Sequence, residues 1–308
     1  MSSWTLVLVQ TLNGLQFGMM LFLFAAGLTL VLGIMNLVNL AHGSLYMLGA
    51  FFAATIQHWT GSFFTALLLA LPATFIAGAI IEFAVLRTLY IRDHLDQVLA
   101  TFGLILFLNE LVRLIWGSTP LYMPLPSFLG GSVVLLPGVN YPIYRLSLIV
   151  LGLATAVLLY FLVAKTKLGM LIRAGASNRE MVEALGVDIR LLFTAVFGLG
   201  AVLAGVAGIM VGPILSVESG MGDGVLILAL VVIVIGGIGS IRGSFVAAII
   251  VGLVDTIGRA FLPGLLVAVM PGAIASAVGP ALASMLIYIV MAAVLFFRPL
   301  GLFPARGG

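Results

Sequence analysis

No Lys, Arg, Asp or Glu occurs between Met1 and Ile81, a stretch about four times the roughly 20 helical residues that cross a 30 Å hydrocarbon core. Such a segment has no polar cover to offer water, so several membrane spans must fit within it. The remainder follows suit: 63% of the chain is hydrophobic and 7% charged, whereas a soluble surface needs several times that charge. The chain is therefore read as an integral membrane protein, with the bilayer as its main surroundings. Three scattered histidines and no cysteine give no metal-ligand spacing and exclude a disulfide framework or a cysteine nucleophile. A net charge of +3 does not suggest nucleic acid. The start, Met-Ser-Ser-Trp, lacks the basic region of a secretory signal and is expected to be retained.

Apolar segments at 12–35, 41–57, 62–86, 98–116, 146–164, 191–215, 225–238, 245–262 and 281–297 are each bounded by Gly, Pro, Asn or a charge. They predict an all-α polytopic protein, a single permease-like domain over 1–308 with eight or nine crossings, some interrupted or re-entrant. Basic residues near span ends stay in the cytoplasm. Segment 165–190 carries Lys165, Lys167, Arg173, Arg179 and Arg190, while 117–144 carries no Lys or Arg before the span that follows. The first is expected inside and the second outside; alternation then places Arg87, Arg92, Arg242 and the C-terminal tail with Arg298 and Arg306 in the cytoplasm. A full reversal at Asn36 to Asn39 puts the N-terminus outside, and a re-entrant turn puts it inside. The external loop 117–144, broken by five prolines, is compatible with a short hairpin around 132–136.

Within the inner loop, Ser177-Asn-Arg-Glu180 has the form of a capping box and Gly186 sits where a helix-terminating glycine belongs. A helix over 178–185 is expected, with Met181, Ala184 and Leu185 on one side and Arg179, Glu180 and Glu183 elsewhere. So short a helix needs support. It is either a surface helix joining two spans or a coupling helix that fits a cytoplasmic motor subunit.

Gly200, Ala204, Gly208 and Gly212 recur at spacing four, a small-residue face that lets helices approach closely, within the chain or between subunits. Two polar interruptions, Asn36-Leu-Val-Asn-Leu-Ala-His-Gly-Ser44 and Gly236-Gly-Ile-Gly-Ser-Ile-Arg-Gly-Ser244, look alike and hint at an internal duplication. Interrupted helices free backbone groups that are tolerated at depth only beside protein or water. Asn36, Asn39, His42, Ser44, Gly236, Gly237, Gly239 and Ser240 are thus candidates for a substrate pathway, with a plain cytoplasmic turn the alternative at each break. Asp255 and Arg259, four apart, are placed to form an intramembrane ion pair. Glu82 with Arg87 and Glu110 with Arg113 lie near span ends, where snorkelling is the ordinary explanation. Glu218 and Asp223 are expected in an external loop, solvated. The phosphate-cradling pattern G-x-x-x-x-G-K-[ST] is missing from the sequence, as are His-Glu-x-x-His and a recognisable Ser/His/Asp spacing. No covalent chemistry is indicated, and no metal.

Leu12-Asn-Gly-Leu15, Gly27-Leu-Thr-Leu-Val-Leu-Gly33, Asn39-Leu-Ala-His-Gly-Ser-Leu-Tyr-Met-Leu-Gly49, Ala184-Leu-Gly-Val187, Ala204-Gly-Val-Ala-Gly208 and Gly236-Gly-Ile-Gly-Ser240 resemble, in order and spacing, the permease subunits of bacterial branched-chain amino acid ABC importers, the LivH type, with the related urea and amide permeases. The likeness spans nearly the whole chain. It implies an inner-membrane importer half of type II: a second homologous permease beside it, two ATP-binding-cassette ATPases beneath using ATP and magnesium, and a periplasmic binding protein delivering cargo. Arg173, Ser177, Arg179, Glu180, Met181, Glu183, Ala184, Leu185 and Gly186 would then form the ATPase-coupling surface. Two departures stand out, Ser44 where the family often has an acid and Arg242 where it often has proline or an aromatic; the first weakens the case for an ordinary zwitterionic cargo. The competing classes are a stand-alone secondary transporter or channel for a small polar solute, and a membrane scaffold without a path.

Overall fold

A computed structural model describes residues 3–136 and 139–304. Eleven helices follow in order: α1 (Ser3–Met35), α2 (His42–Thr60), α3 (Phe63–Ala84), α4 (His94–Trp116), α5 (Ile143–Lys165), α6 (Lys167–Ser177), α7 (Arg179–Ala184), α8 (Ile189–Val211), α9 (Met221–Gly236), α10 (Ile241–Val267) and α11 (Gly272–Phe297), with strands β1 (Ser132–Leu136) and β2 (Val139–Pro142) pairing antiparallel before α5. Among the described residues seven helices are long and apolar enough to cross a membrane, namely α1, α3, α4, α5, α8, α10 and α11, and α9 is a shorter apolar helix. Each of the nine apolar segments expected from the sequence overlaps one helix, seven of which are span-length.

Two helices form the core. The most apolar window of α1 is 78% buried and that of α8 72%, against at most 28% for the other spans. They cross where Gly27 and Gly200 bring backbone to backbone, a spacing any side chain would prevent. Around them α10 lies along α1, joined by the buried Thr29–Ser244 hydroxyl pair at 2.7 Å, and α3 lies along α8.

The bundle has one strongly basic end. Arg87, Arg92, Lys165, Lys167, Arg173, Arg179, Arg190, Arg242 and Arg298 gather where α1, α3, α5, α9 and α11 finish and α4, α8 and α10 begin, whereas Arg113, Arg145 and Arg259 belong to the other half. Arg306 lies outside the described residues. At the opposite end the β1–β2 hairpin and loop 117–131 cover the bundle: Asn13 Oδ1 accepts from Arg145 at 2.7 Å and from the Tyr141 hydroxyl at 3.1 Å, and Gln57 donates to the Pro124 carbonyl at 2.9 Å.

Neither α2 nor α9 starts at a bundle end. After Met35 the chain turns through Asn36, the only described non-glycine residue with positive φ, at 49°, and folds back inward. The Val38 N–H donates to Gln97 Oε1, and the Ala41 N–H to Asn39 Oδ1. His42, the first residue of α2, then rests against Gly27 and edge-on to Phe24 at 5.0 Å. Gly27 lies eight residues before Met35, about 12 Å along α1 at 1.5 Å per residue. The mirror arrangement follows α8. Residues 212–220 turn inward, Ser219 Oγ donates to the Asn109 carbonyl at 3.0 Å, and α9 begins with Gly222 packed on Gly43. Two helices therefore start inside the bundle and run toward opposite ends.

This geometry corrects the likeness read between the two polar interruptions. Residues 237–240 form a tight turn at the basic end, closed by the Ser240 N–H to Gly237 carbonyl bond at 3.1 Å. Ser240 caps α10 by accepting from the Gly243 N–H. The structural counterpart of 36–41 is 212–220, which shares its path but not its sequence.

Candidate functional site

The interior junction gathers most of the buried polar atoms that lack protein partners. Asn39, His42 and Ser44 are at most 2% exposed; Asn39 Nδ2 and Ser44 Oγ have no hydrogen-bond partner among the described residues, and the His42 ring has at most a loose contact with the Phe24 backbone. Such groups are costly in an apolar core. They surround the contact between Gly43 and Gly222, where a Cβ on either residue would overlap the other's backbone. Asn36 remains exposed at the basic end. The second set of pathway candidates sits elsewhere: Gly236 packs on Gly243, Gly237 packs on the carbonyls of Leu300 and Phe303, and Gly239 approaches Gly33. Gly236, Gly237, Gly239 and Ser240 thus belong to a packed turn, separate from the junction.

A second candidate surface lies at the basic end. Two points of the capping expectation are corrected. Ser177 closes α6, a helix the sequence reading had folded into a loop. Asn178 caps α7, its Oδ1 accepting from the Met181 N–H at 2.9 Å. Asn178 is free for this because its own backbone is extended, φ −155°. Gly186 does end the segment, with φ 84°. Val182 is the side chain of α7 that faces the bundle, 5% exposed, whereas Met181 is 58% and Leu185 76% exposed. Arg173, Ser177, Glu180, Glu183 and Ala184 are exposed alongside them.

Arg179 anchors this surface to the core. Its Nη2 donates to the Ile34 carbonyl in the last turn of α1 at 3.0 Å, where a cation also suits the helix dipole. Its guanidinium lies 5.3 Å from the Phe193 ring centroid at the start of α8. Phe193 stands edge-on to Tyr90, centroids 5.2 Å apart, and the Tyr90 hydroxyl donates to Glu82 Oε1 at 2.6 Å.

Glu82 is fully buried at the end of α3 and does not snorkel. Thr194 Oγ1 donates to its Oε2 at 2.6 Å, and Arg87 Nη2 reaches the same oxygen at 3.3 Å. Burial and the bond to Glu82 push the Tyr90 hydroxyl well above its usual range, so it stays a donor. The sequence held a hint in Glu82 and Arg87 but nothing that pointed to Thr194, more than a hundred residues away. Glu110 and Arg113 are an exposed pair at 2.8 Å.

The remaining candidates are structural in their contacts. Arg259 Nε donates to both carboxylate oxygens of Asp255 at 2.9 and 3.0 Å. Gly200 meets α1, Ala204 is fully buried, Gly208 packs on the Tyr46 carbonyl and Gly212 on Met123, so this face is occupied from within the chain. No group of three or more metal-ligating side chains occurs among the described residues.

A family model described as branched-chain amino acid transport system, permease component, matches residues 10–295. The chain belongs to that permease family. It is 30% identical over 265 residues to the high-affinity branched-chain amino acid transport system permease protein BraD of Pseudomonas aeruginosa, covering 82% of this chain and 86% of the relative. It is 29% identical over 283 residues to LivH of Escherichia coli K12, covering 83% and 87%. A probable LivH of Methanocaldococcus jannaschii is 28% identical over 251 residues, covering 77% and 76%. No solved structure matches. In this permease both the interior junction and the α6–α7 surface fall within the matched residues.

Proposed function

We propose that this permease is half of the transmembrane core of an ABC importer that moves branched-chain or other amino acids, or small amides, into the bacterial cytoplasm. A second homologous permease completes the core and a periplasmic binding protein supplies cargo at the hairpin end. Two ATPase subunits, holding ATP and magnesium, dock on the basic end, which faces the cytoplasm together with the C-terminus. The chain itself has no phosphate-cradling motif.

One observation carries the coupling part of this reading. α7 turns Met181 and Leu185 outward while Arg179 ties the same helix to the ends of α1 and α8. An outward apolar pair on a helix too short to stand alone supports a partner groove as its seat. A push on α7 is delivered to Ile34, beside the turn that leads into the interior junction. Asn39, His42 and Ser44 then become path-lining when the α2 and α9 starts part, in the manner of a two-state packing change.

Met181→Pro tests this. The variant chain is expected to insert, with ATP-driven uptake of labelled leucine abolished in vesicles; normal uptake refutes the coupling role. Co-eluting subunits that carry G-x-x-x-x-G-K-[ST] are the expected companions of the wild type.

A further inference from the structure

α9 carries a carboxylate at an unusual depth. Asp223 is not in an external loop: it occupies the first turn of α9, one residue after the Gly222 that packs on Gly43. That contact fixes its height. His42, next to Gly43, rests on Gly27, and Gly27 meets Gly200, eleven residues into α8, or about 16 Å along a helix about 34 Å long. Asn109, which meets Asp223, lies seven residues before the Trp116 end of α4, about 10 Å at 1.5 Å per residue, so the first turn of α9 lies inside the bundle, in the half nearer the hairpin end.

Asp223 is nevertheless exposed. The one hydrogen bond to its carboxylate among the described residues comes from Asn109 Nδ2 at 3.5 Å. Gly224 beside it has open space where a side chain would go, and Ile227, one turn on, is 52% exposed. A carboxylate facing hydrocarbon inside a span is costly, and such acids characteristically face a wet cavity. The uncapped start of α9, at Gly220 with φ 83°, favours a negative charge in this turn. On the buried side of the same junction, Ser44 Oγ and Asn39 Nδ2 lack partners, so the region is polar from both sides.

We propose that Asp223 lines the hydrated transport path, inside the bundle in the half nearer the hairpin end, and receives the ammonium group of the cargo. The importer reading above supplies the amino acid; the depth and exposure of Asp223 are independent of it. A carboxylate-to-ammonium contact in a partly dry cavity is short and charge-assisted, and amides without an ammonium gain nothing from it.

The chain has no cysteine, so Asp223→Cys provides its only thiol. In membranes holding the full assembly, a trimethylammonium methanethiosulfonate reagent is expected to modify it at least tenfold faster than Ile289→Cys, a control on exposed α11. Asp223→Asn is expected to raise the leucine KM at least tenfold with partners and ATP hydrolysis retained, and Asp223→Glu to restore most of it. A thiol at 223 no more reactive than the control overturns the path-lining claim, and an unchanged KM in Asp223→Asn overturns the ammonium contact. If wild-type vesicles take up none of the labelled amino acids or small amides with ATP supplied, the importer reading has failed instead, and the labelling result still decides whether Asp223 faces water.

Discussion

Glu82 concentrates the polar energetics of the basic end in one side chain. With Tyr90, Thr194 and Arg87 all directed at it, Glu82→Ala leaves the Tyr90 hydroxyl without its acceptor, the Arg87 guanidinium without its carboxylate and Thr194 with only the Arg190 carbonyl, and about 1–3 kcal/mol of stability is expected to go with it. Arg87 is partly exposed, so its share is the smallest. Thermal unfolding of the purified assembly in detergent checks this: Glu82→Ala should melt several degrees lower than wild type, with Glu82→Gln between them. At the interior junction the constraint is space. Gly222→Ala places a methyl group into the Gly43 carbonyl, a backbone-on-backbone clash that no rotamer relieves. A loss of about 1–3 kcal/mol is expected from such overpacking, read as a lower melting temperature, and uptake should fall because α2 and α9 can no longer meet.

At the scale of elements, α7 and the two interior helix starts behave differently under mutation. Met181 and Leu185 are exposed on the single chain, so Leu185→Glu should leave insertion and melting unchanged while cutting ATP-driven uptake at least tenfold and weakening retention of the ATPase subunits on an affinity column. Arg179→Ala acts one step inward: partner binding persists, ATP hydrolysis continues, and uptake per ATP falls, because α7 has lost its hold on Ile34. Much of this organisation was legible beforehand. Hydropathy located all nine apolar helices, and the run to Gly186 gave away α7, since turn glycines and apolar periodicity are local signals. What stayed hidden was set by tertiary contact. Asn178 outcompeted Ser177 as a cap because α6 extends through Ser177, and the 212–220 break looks nothing like 36–41, although Gly222 and Gly43 make them partners in space. The same holds for Asp223, whose depth depends on a glycine contact across the bundle.

For the whole molecule, the distribution of charge and packing is that of a membrane-embedded bundle and is consistent with one part of a larger assembly. α4 and α11 are largely exposed, the polar junction is shut, and the apolar tip of α7 projects from the basic end. Asp255 is held by Arg259. The most direct test is leucine uptake into liposomes holding either the lone chain or the complete assembly, with ATP supplied on the side of the basic end. Uptake only by the assembly, and only with hydrolysable ATP, is the predicted result; gradient-driven uptake by the lone chain at a comparable rate contradicts the account.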